Sequence, residues 1–222
     1  MQYLYHKEAG VPQLLLVGDE HRYIFKVRRH RTGETLYLRN LNNSNVYTYI
    51  IDSIDKKEAS LQLVEEQELS VSAKRNLHIG WCLIDPKSIE KVLPTLNEMG
   101  VYKISFIYCE RSQKSFKIDL KRWEKIVLNS SQQCGRSQMM ILELYDDLQD
   151  YLRDYPQSYL LNFSDTTLSS SNSVESIVIG CEGGVTEREL SFFTQEYIIG
   201  LDTPLILKSE SATCAVASKI LL

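Results

Sequence analysis

The sequence has no long apolar run and no closely spaced pair of cysteines. Its 222 residues include five cysteines, at positions 82, 109, 134, 181 and 214, and no two of them form a CxxC motif. The odd number and wide spacing are typical of unpaired thiols in a reducing compartment. The apolar run Leu14–Val17 is far too short to span a membrane, and Met1–Gly10 has no apolar signal-peptide core. We therefore expect a cytoplasmic protein with no membrane partner.

Motifs for metal and nucleotide binding are also missing. The four histidines, His6, His21, His30 and His78, show no HExxH or other ligand spacing, so we predict that no metal is bound. No GxGxxG follows an apolar strand, and no GK[ST] ending is present. These absences argue against a P-loop enzyme and against a nucleotide-dependent oxidoreductase of the Rossmann type.

The chain as a whole has no excess of positive charge, but two of its segments do. The net charge of −4 does not by itself indicate a nucleic-acid partner. However, His21–Arg31 carries five cations and no acid, and Lys103–Lys125 carries seven cations and three acids. Such patches neutralise phosphates and release counterions. A solvated surface explains the same charge runs, so both interpretations stay open at this point.

Residues 1–70 and 71–222 differ in the pattern of secondary structure that they predict. In the first part, short segments rich in Val, Ile, Leu, Thr and Tyr are separated by turn-formers, which predicts a small β-barrel. These strand segments are Glu34–Leu38, Val46–Ile54 and Ser60–Val64. In the second part, apolar strands alternate with helices, which predicts a largely parallel α/β sheet. Its strands are Leu77–Leu83, Lys103–Cys109, Met140–Leu144, Tyr159–Phe163 and Ile177–Ile179.

The helices of the second part carry two further signals. Apolar residues recur at helical spacing from Ile89 to Met99. Pro94 interrupts this pattern and predicts a kink or an early end, while Gly100 is suited to the helix C-terminus. Ser169–Ser173 is expected to form a surface loop.

A glycine-rich loop follows the strand Ile177–Ile179. Gly180–Gly184 has three glycines in five residues, and Thr186–Glu189 fits a capping box that would begin a helix. Glycines after a strand let a ligand approach the backbone closely. In a parallel sheet this loop would lie at the carboxyl edge, where ligands bind. A tight strand-to-helix turn is the plainer alternative.

Two other segments resemble ligand-binding turns. Ile198-Ile199-Gly200 again ends an apolar strand with a glycine, and a loop then leads to a helix that Ser209 or Ser211 would cap. Gly135 in Gln132–Arg136 is suited to a helix C-terminus, and Arg136 offers a guanidinium to a phosphate or carboxylate.

These motifs occur in the same order as in a known family. Gly180–Gly184 is similar to its IGPEGG signature, and Ile199-Gly200 with Leu205–Ala212 to its LG-x-RILRTETA signature. Weaker matches are Gln132–Arg136 with EQ-[CS]-GR, Glu98–Val101 with ELGV, Glu110-Arg111 with ER, Leu161–Phe163 with the strand before a serine-rich loop, and Lys26–Arg29 with RVLR. Together they resemble the RsmE family of 16S rRNA (uracil-N3)-methyltransferases, of the SPOUT class.

The resemblance implies a fold, a cofactor and a substrate. Residues 1–70 would form a PUA-like RNA-binding β-barrel, and residues 71–222 a SPOUT α/β domain with a C-terminal trefoil knot. S-adenosylmethionine would be the cofactor, a uridine of small-subunit ribosomal RNA would be methylated at N3, and two protomers would pair as a homodimer. The expected cofactor-binding residues are Leu161, Phe163, Ile179, Gly180, Glu182, Gly183, Gly184, Ile199, Gly200, Leu205, Ile206, Leu207, Ser211 and Ala212.

Candidates for polar roles are fewer. Uridine N3 carries a proton that must leave, and Glu182, Arg136 and Glu210 are the candidate catalytic residues. Glu182 comes first because it lies within the glycine loop, and a purely orienting role remains open for it. The expected RNA-binding residues are Lys26, Arg28, Arg29, Arg31, Arg111 and Lys114.

The sequence departs from the family pattern at polar positions. Cys181 replaces a Pro of the glycine loop, and Lys208 and Ser209 replace the Arg and Thr of RTETA. Gln132 replaces a Glu, and Thr95 stands where a Lys is common. The glycine backbone that would cradle the cofactor is kept. The alternative is a non-catalytic RNA-binding protein that retains the SPOUT fold, which binding of radiolabelled S-adenosylmethionine would distinguish.

Overall fold

The computed structural model describes residues 2–169 and 173–222. It divides into two compact units. The first comprises Met1–Ser72 and Ser131–Met139, and the second comprises Ala73–Ser130 and Met140–Leu222. The centre of the expected surface loop Ser169–Ser173, residues 170–172, lies outside the described residues. Within the described residues, no helix has the length and apolar character needed to cross a membrane.

The first unit contains a five-stranded sheet. Its strands are β1 (Leu4–Tyr5), β2 (Gln13–Val17), β3 (Thr35–Arg39), β4 (Asn45–Ile54) and β5 (Glu58–Glu68). They lie in the order β1-β3-β4-β5-β2 and are antiparallel except for the parallel pair β1–β3. Between β2 and β3, the short helix α1 (Gly18–His21) continues as a π-helical segment, Arg22–Val27. The strands β3, β4 and β5 confirm the predicted ones, whereas β1, β2 and the helical segment were not predicted.

Alternation of apolar and polar residues places one face of this sheet on a core. In β2, Leu14 and Leu16 are buried while their neighbours are exposed, as a period of two residues requires. The segment 131–139 joins this unit through the N-terminus of the chain. The backbone N–H of Tyr3 donates to the carbonyl of Gln132 (3.0 Å), and the Tyr3 hydroxyl donates to the carbonyl of Arg136 (2.9 Å).

The second unit is built on a six-stranded parallel sheet. Its strands are β6 (His78–Cys82), β7 (Lys103–Ile107), β8 (Ile141–Tyr145), β9 (Tyr159–Leu161), β10 (Ser176–Ile179) and β11 (Ile198–Ile199). Their order is β11-β9-β10-β6-β7-β8, and every neighbouring pair is parallel. The predicted parallel α/β sheet is therefore confirmed, and the carboxyl ends of all its strands meet at one edge.

The helices of the second part are α2 (Pro86–Met99), α3 (Leu120–Cys134), α4 (Leu148–Asp154), α5 (Glu187–Leu190) and α6 (Ser209–Leu221). On one face of the sheet, α6 packs against β10 and α2, and the ring of Trp123 in α3 lies 4.5 Å from that of Phe106. On the other face, α4 packs against β7 and β8.

Helix ends agree with the sequence better than helix interiors do. Gly100 and Gly135 adopt the left-handed conformation that ends a helix, with φ of 94° and 86°, as predicted. By contrast, α2 continues through Pro94 to Met99, so an early end at Pro94 is excluded. The apolar face of α2, with Ile89 and Leu93 fully buried, explains why one missing backbone donor does not end the helix.

The expectation that all cysteines are unpaired is wrong for two of them. Cys82 and Cys109 form a disulfide, with a Cα–Cα distance of 5.6 Å. Their separation of 27 residues hides this proximity in the sequence. Because β6 and β7 are adjacent parallel strands, their carboxyl ends bring the two thiols together. Cys134, Cys181 and Cys214 take part in no disulfide among the described residues.

Candidate active site

A cleft of about 760 Å³ opens at the carboxyl edge of the parallel sheet. Its walls come from the segments that follow β9, β10 and β11 and from the first turn of α6. All of the predicted cofactor-binding residues line the cleft except Ile199, which is buried in β11, and Ser211, which is exposed on α6. Lining residues that the sequence did not indicate are Asn162, Ser164, Asp165, Cys181, Gln195, Leu201, Thr203 and Ser209.

The glycine loop is a tight turn that side chains would obstruct. A Cβ atom on Gly180 would lie 3.2 Å from the Cα atom of Gly184, and Gly184 has a φ of 69°. The backbone N–H of Gly184 donates to the carbonyl of Cys181 (2.9 Å). Burial raises the pKa of the Cys181 thiol, which therefore stays protonated and donates to the carbonyl of Gly184 (3.4 Å). The capping box of Thr186 and Glu189 is confirmed at the start of α5.

The segment after β7 holds the glycine loop from one side. The guanidinium of Arg111 donates to the carbonyls of Gly183 and Val185. The carboxylate of Glu110 accepts from the hydroxyl of Thr186 (2.6 Å) and from Arg188 (2.7 Å). These two hydrogen bonds hold the pKa of Glu110 below its usual range. Arg111, which was expected to bind RNA, thus has its guanidinium on the loop that lines the cleft.

A second link ties the glycine loop to the start of α6. The indole Nε1–H of Trp81 donates to Oγ of Ser209 (2.8 Å), and Ser209 Oγ donates to the carbonyl of Gly180 (2.6 Å). Trp81 is fully buried and Ser209 nearly so, so water does not replace these bonds. The predicted capping of α6 by Ser209 or Ser211 is wrong, because Lys208 occupies the N-cap position and no side chain caps it.

The opposite wall of the cleft is formed around Gly200. A Cβ atom there would lie 2.8 Å from the carbonyl oxygen of Ser164, so only glycine allows this close approach. Beyond Gly200 the wall is apolar and open. Phe163, Leu205 and Ile206 are 81%, 70% and 83% exposed, which is unusual for large apolar side chains beside one another.

Of the three candidate catalytic residues, the structure brings one to the cleft. Glu182 lines it and is exposed. Glu210 is half-buried in the first turn of α6 and does not line the cleft; its Oε2 is buried without a hydrogen-bond partner in the described residues. Arg136 belongs to the first unit, where burial lowers the pKa of its guanidinium. The expected gathering of Glu182, Arg136 and Glu210 around one cleft is therefore not seen within the second unit.

The predicted RNA-binding cations lie in both units. Lys26, Arg28, Arg29 and Arg31 are exposed in the first unit, and Lys114 is exposed in the second. The guanidinium of Arg28 is already engaged, because it donates twice to the hydroxyl of Tyr23 (3.0 and 2.8 Å). Among the residues that the structure describes, no three His, Cys, Asp or Glu side chains are grouped so as to hold a metal ion.

Comparison with known proteins gives consistent matches. Residues 71–221 match the model of an RNA methyltransferase domain, and residues 16–64 match that of an RNA methyltransferase PUA domain. Ribosomal RNA small subunit methyltransferase E of Helicobacter pylori strain J99 is 39% identical over 222 residues, covering 98% of each chain. The protein of the same name from Aquifex aeolicus is 24% identical, covering 97% of each chain.

A solved structure shows the same fold. Ribosomal RNA small subunit methyltransferase E from Neisseria gonorrhoeae, bound to S-adenosylmethionine, superposes with a TM-score of 0.82. Its sequence is 20% identical, and the match covers 98% of this chain and 95% of that one.

Proposed function

The chain belongs to the ribosomal RNA small subunit methyltransferase E family and is an S-adenosylmethionine-dependent methyltransferase of ribosomal RNA, and on this premise we propose that it methylates N3 of a uridine in small-subunit rRNA. The observation that carries the proposal is the cleft at the carboxyl edge of the parallel sheet, which nearly all of the predicted cofactor-binding residues line.

The residues of the cleft fit S-adenosylmethionine. The volume of the cleft, about 760 Å³, lies within the usual range for cofactor sites. Gly180, Gly183 and Gly184 line the cleft, so the loop presents backbone without side chains to a ligand. The backbone of Gly180–Gly184 would hold polar groups of the cofactor, and Leu161 and Leu207 would contact its apolar parts. When bound, the cofactor supplies an electrophilic methyl group.

The protein's own task is to position the base and remove a proton. Uridine N3 is protonated and takes part in base pairing, so the target base must be unpaired or flipped out. Glu182 is the candidate carboxylate that lines the cleft, and we assign it the orientation of the base or the acceptance of the N3 proton. The buried Oε2 of Glu210, which has no hydrogen-bond partner in the described residues, supports a polar role for Glu210. Arg136 belongs to the first unit and does not line the cleft.

The finer architecture is part of the same proposal. Residues 1–70 would form the PUA-like RNA-binding domain, with Lys26, Arg29 and Arg31 available to phosphates. Residues 71–222 would form the SPOUT domain with a trefoil knot, and two protomers would pair. Exposed Leu222 at the end of α6 and the open apolar wall at Leu205 and Ile206 support pairing. Light scattering that finds a stable monomer at micromolar concentration would contradict it.

Mapping of rRNA by mass spectrometry tests the activity. Small-subunit rRNA from cells that lack the gene should lose one methyl group on a uridine, and purified protein with S-adenosylmethionine should restore it. A non-catalytic RNA-binding protein would leave the methyl group in place in these cells. It would also show no binding of radiolabelled S-adenosylmethionine.

A further inference from the structure

The first unit contains a second concavity, which is lined by cations from two distant segments. It has a volume of about 500 Å³. Arg22 and Lys26 enter it from the π-helical segment, and Lys56 and Lys57 enter it from the turn between β4 and β5. The single carboxylate in its lining is that of Glu58. We call the site formed by these four cations the basic groove. It is a local concentration of positive charge on a chain whose net charge is −4.

The four cations are available to a ligand. All four are exposed, and within residues 2–169 and 173–222 none of them makes an ion pair or side-chain hydrogen bond. Other cations of the same unit are engaged. Arg28 donates to the hydroxyl of Tyr23, and Arg39 is buried and donates to the carbonyls of Ser44 and Leu69 (2.8 and 2.9 Å).

The walls of the groove are held in place before any ligand binds. His21, which is buried at the end of α1, places Nε2 3.1 Å from the carbonyl oxygen of Asp55 in the β4–β5 turn. Its ring also contacts that of Phe25, with centroids 5.0 Å apart. The turn itself is closed by the N–H of Asp55, which donates to the carbonyl of Glu58 (2.8 Å). The two backbone segments that carry the cations are thus held next to each other, and π-helical turns often occur at functional sites.

We propose that the basic groove binds consecutive phosphates of the ribosomal RNA backbone, and this inference rests on the proposed function. Cations that face one concavity match a line of phosphodiesters, since each bound phosphate releases counterions. The one aromatic ring in its lining, that of His21, is buried and packs on Phe25. The cations of the groove are ammonium and guanidinium groups, so it fixes position rather than reads sequence. Of the RNA-binding residues expected from the sequence, Lys26 alone lies in the groove.

A pair of matched double variants tests the groove. Lys56→Ala/Lys57→Ala removes two charges from it. Lys87→Ala/Lys91→Ala removes two exposed charges from α2 in the second unit and serves as the control. Affinity of the full-length protein for a small-subunit rRNA fragment is measured by fluorescence anisotropy at several salt concentrations. The groove variant should reduce the log–log salt slope by about 1.4 to 1.8 units, as expected for two lost contacts. The control variant should keep the wild-type slope.

Two outcomes would overturn the proposal. One is an unchanged slope in the groove variant, which would also be seen if the groove served free phosphate. The other is an equal loss in both variants, which would indicate diffuse attraction. Arg22→Gln, on the opposite wall, checks the result without changing the β4–β5 turn and should lower the slope by about half as much.

The proposed function fails separately from the groove. Wild-type protein that binds RNA through the groove but transfers no methyl group would refute the function and leave the groove intact. Conversely, a groove variant that methylates and binds RNA as the wild type does would refute the groove alone. Affinity for S-adenosylmethionine should be the same in all three variants.

Discussion

Polar groups occur at both ends of the six-stranded sheet. At the amino-terminal end they bond to one another, whereas at the carboxyl edge they border an open cleft. In the amino-terminal half of the sheet, His78 Nε2 lies 2.8 Å from Ser105 Oγ, which donates to the carboxylate of Glu143 (3.0 Å). Lys103 donates to the same carboxylate and to the hydroxyl of Tyr155, both at 2.9 Å. At the carboxyl edge, the glycine loop and the exposed side chains around Gly200 border an open cleft.

The two ends differ in solvent access rather than in residue type. A serine, a histidine and a glutamate in contact suggest a hydrolytic triad, but Ser105 is 0% exposed and no substrate reaches it. The order of bonds also differs, since Glu143 accepts from Ser105 and does not orient His78. A polar cluster whose members satisfy one another stabilises the fold. The carboxyl edge instead has a glycine loop without side chains and exposed apolar residues. Mutations at the amino-terminal end should therefore lower stability, and mutations at the carboxyl edge should lower affinity for the cofactor.

The largest expected loss of stability follows from Glu143→Ala. Its removal leaves the mostly buried ammonium of Lys103 without a counter-charge. We expect the free energy of unfolding to fall by about 2 to 3 kcal/mol, less than for a fully buried pair because 33% of the Glu143 side chain is exposed. Urea denaturation measures the loss, and affinity for S-adenosylmethionine should not change. The matched variant Glu182→Ala, in the cleft, should leave stability unchanged; the reverse result would remove the distinction between the two ends.

Acid should weaken the closed end in the same way. Burial, with a smaller effect of Lys103, lowers the pKa of His78 from 6.5 to about 4. The folded state therefore holds His78 neutral, and its contribution is complete above pH 6.5 and lost as the pH falls towards 4. By pH 5 the free energy of unfolding should decrease by about 2 kcal/mol. Urea denaturation at pH 7.5 and 5 measures this decrease. His78→Gln should reduce the difference, and an equal decrease in that variant would show that another group is responsible.

The smallest expected effect concerns the link between the two cleft walls. Ser209→Ala leaves the carbonyl of Gly180 and the indole N–H of Trp81 without partners. We expect the dissociation constant for S-adenosylmethionine to rise about tenfold, which corresponds to about 1.4 kcal/mol. Ser209→Thr keeps the hydroxyl and should bind nearly as the wild type does. Ser211→Ala, at an exposed neighbour outside the cleft, is the control. If Ser211→Ala alone lowered the affinity for S-adenosylmethionine, the proposed role of Ser209 in linking the two cleft walls would be refuted.

The sequence predicted features that depend on local backbone requirements. The glycine loop, the capping box at Thr186 and the helix ends at Gly100 and Gly135 each follow from a few neighbouring residues, and the structure confirms them. The parallel sheet was also predicted, because buried parallel strands have a recognisable apolar composition.

Features that depend on distant neighbours were missed. The disulfide of Cys82 and Cys109 needs two adjacent strands. The hydroxyl of Ser209 was expected to cap α6, but it bonds to Gly180 because the loop after β10 lies beside it. The contact of Arg111 with the carbonyls of Gly183 and Val185, more than 70 residues away along the chain, was also not predicted. Contacts between residues that are distant along the chain cannot be read from the pattern of neighbouring residues.

Calorimetric titration of S-adenosylmethionine into wild-type protein and Gly183→Val tests most directly whether the glycine loop holds the cofactor. The substitution is local, because the nearest atom to a new Cβ is Cδ of Arg111 at 3.3 Å, the flexible part of a side chain. The free energy of unfolding should therefore change by no more than about 1 kcal/mol. We predict that the wild type binds and that folded Gly183→Val binds at least about tenfold more weakly, since the branched side chain displaces Arg111, whose hydrogen bonds to the carbonyls of Gly183 and Val185 hold the glycine loop. Unchanged cofactor affinity in the folded variant would contradict the assignment of the cleft.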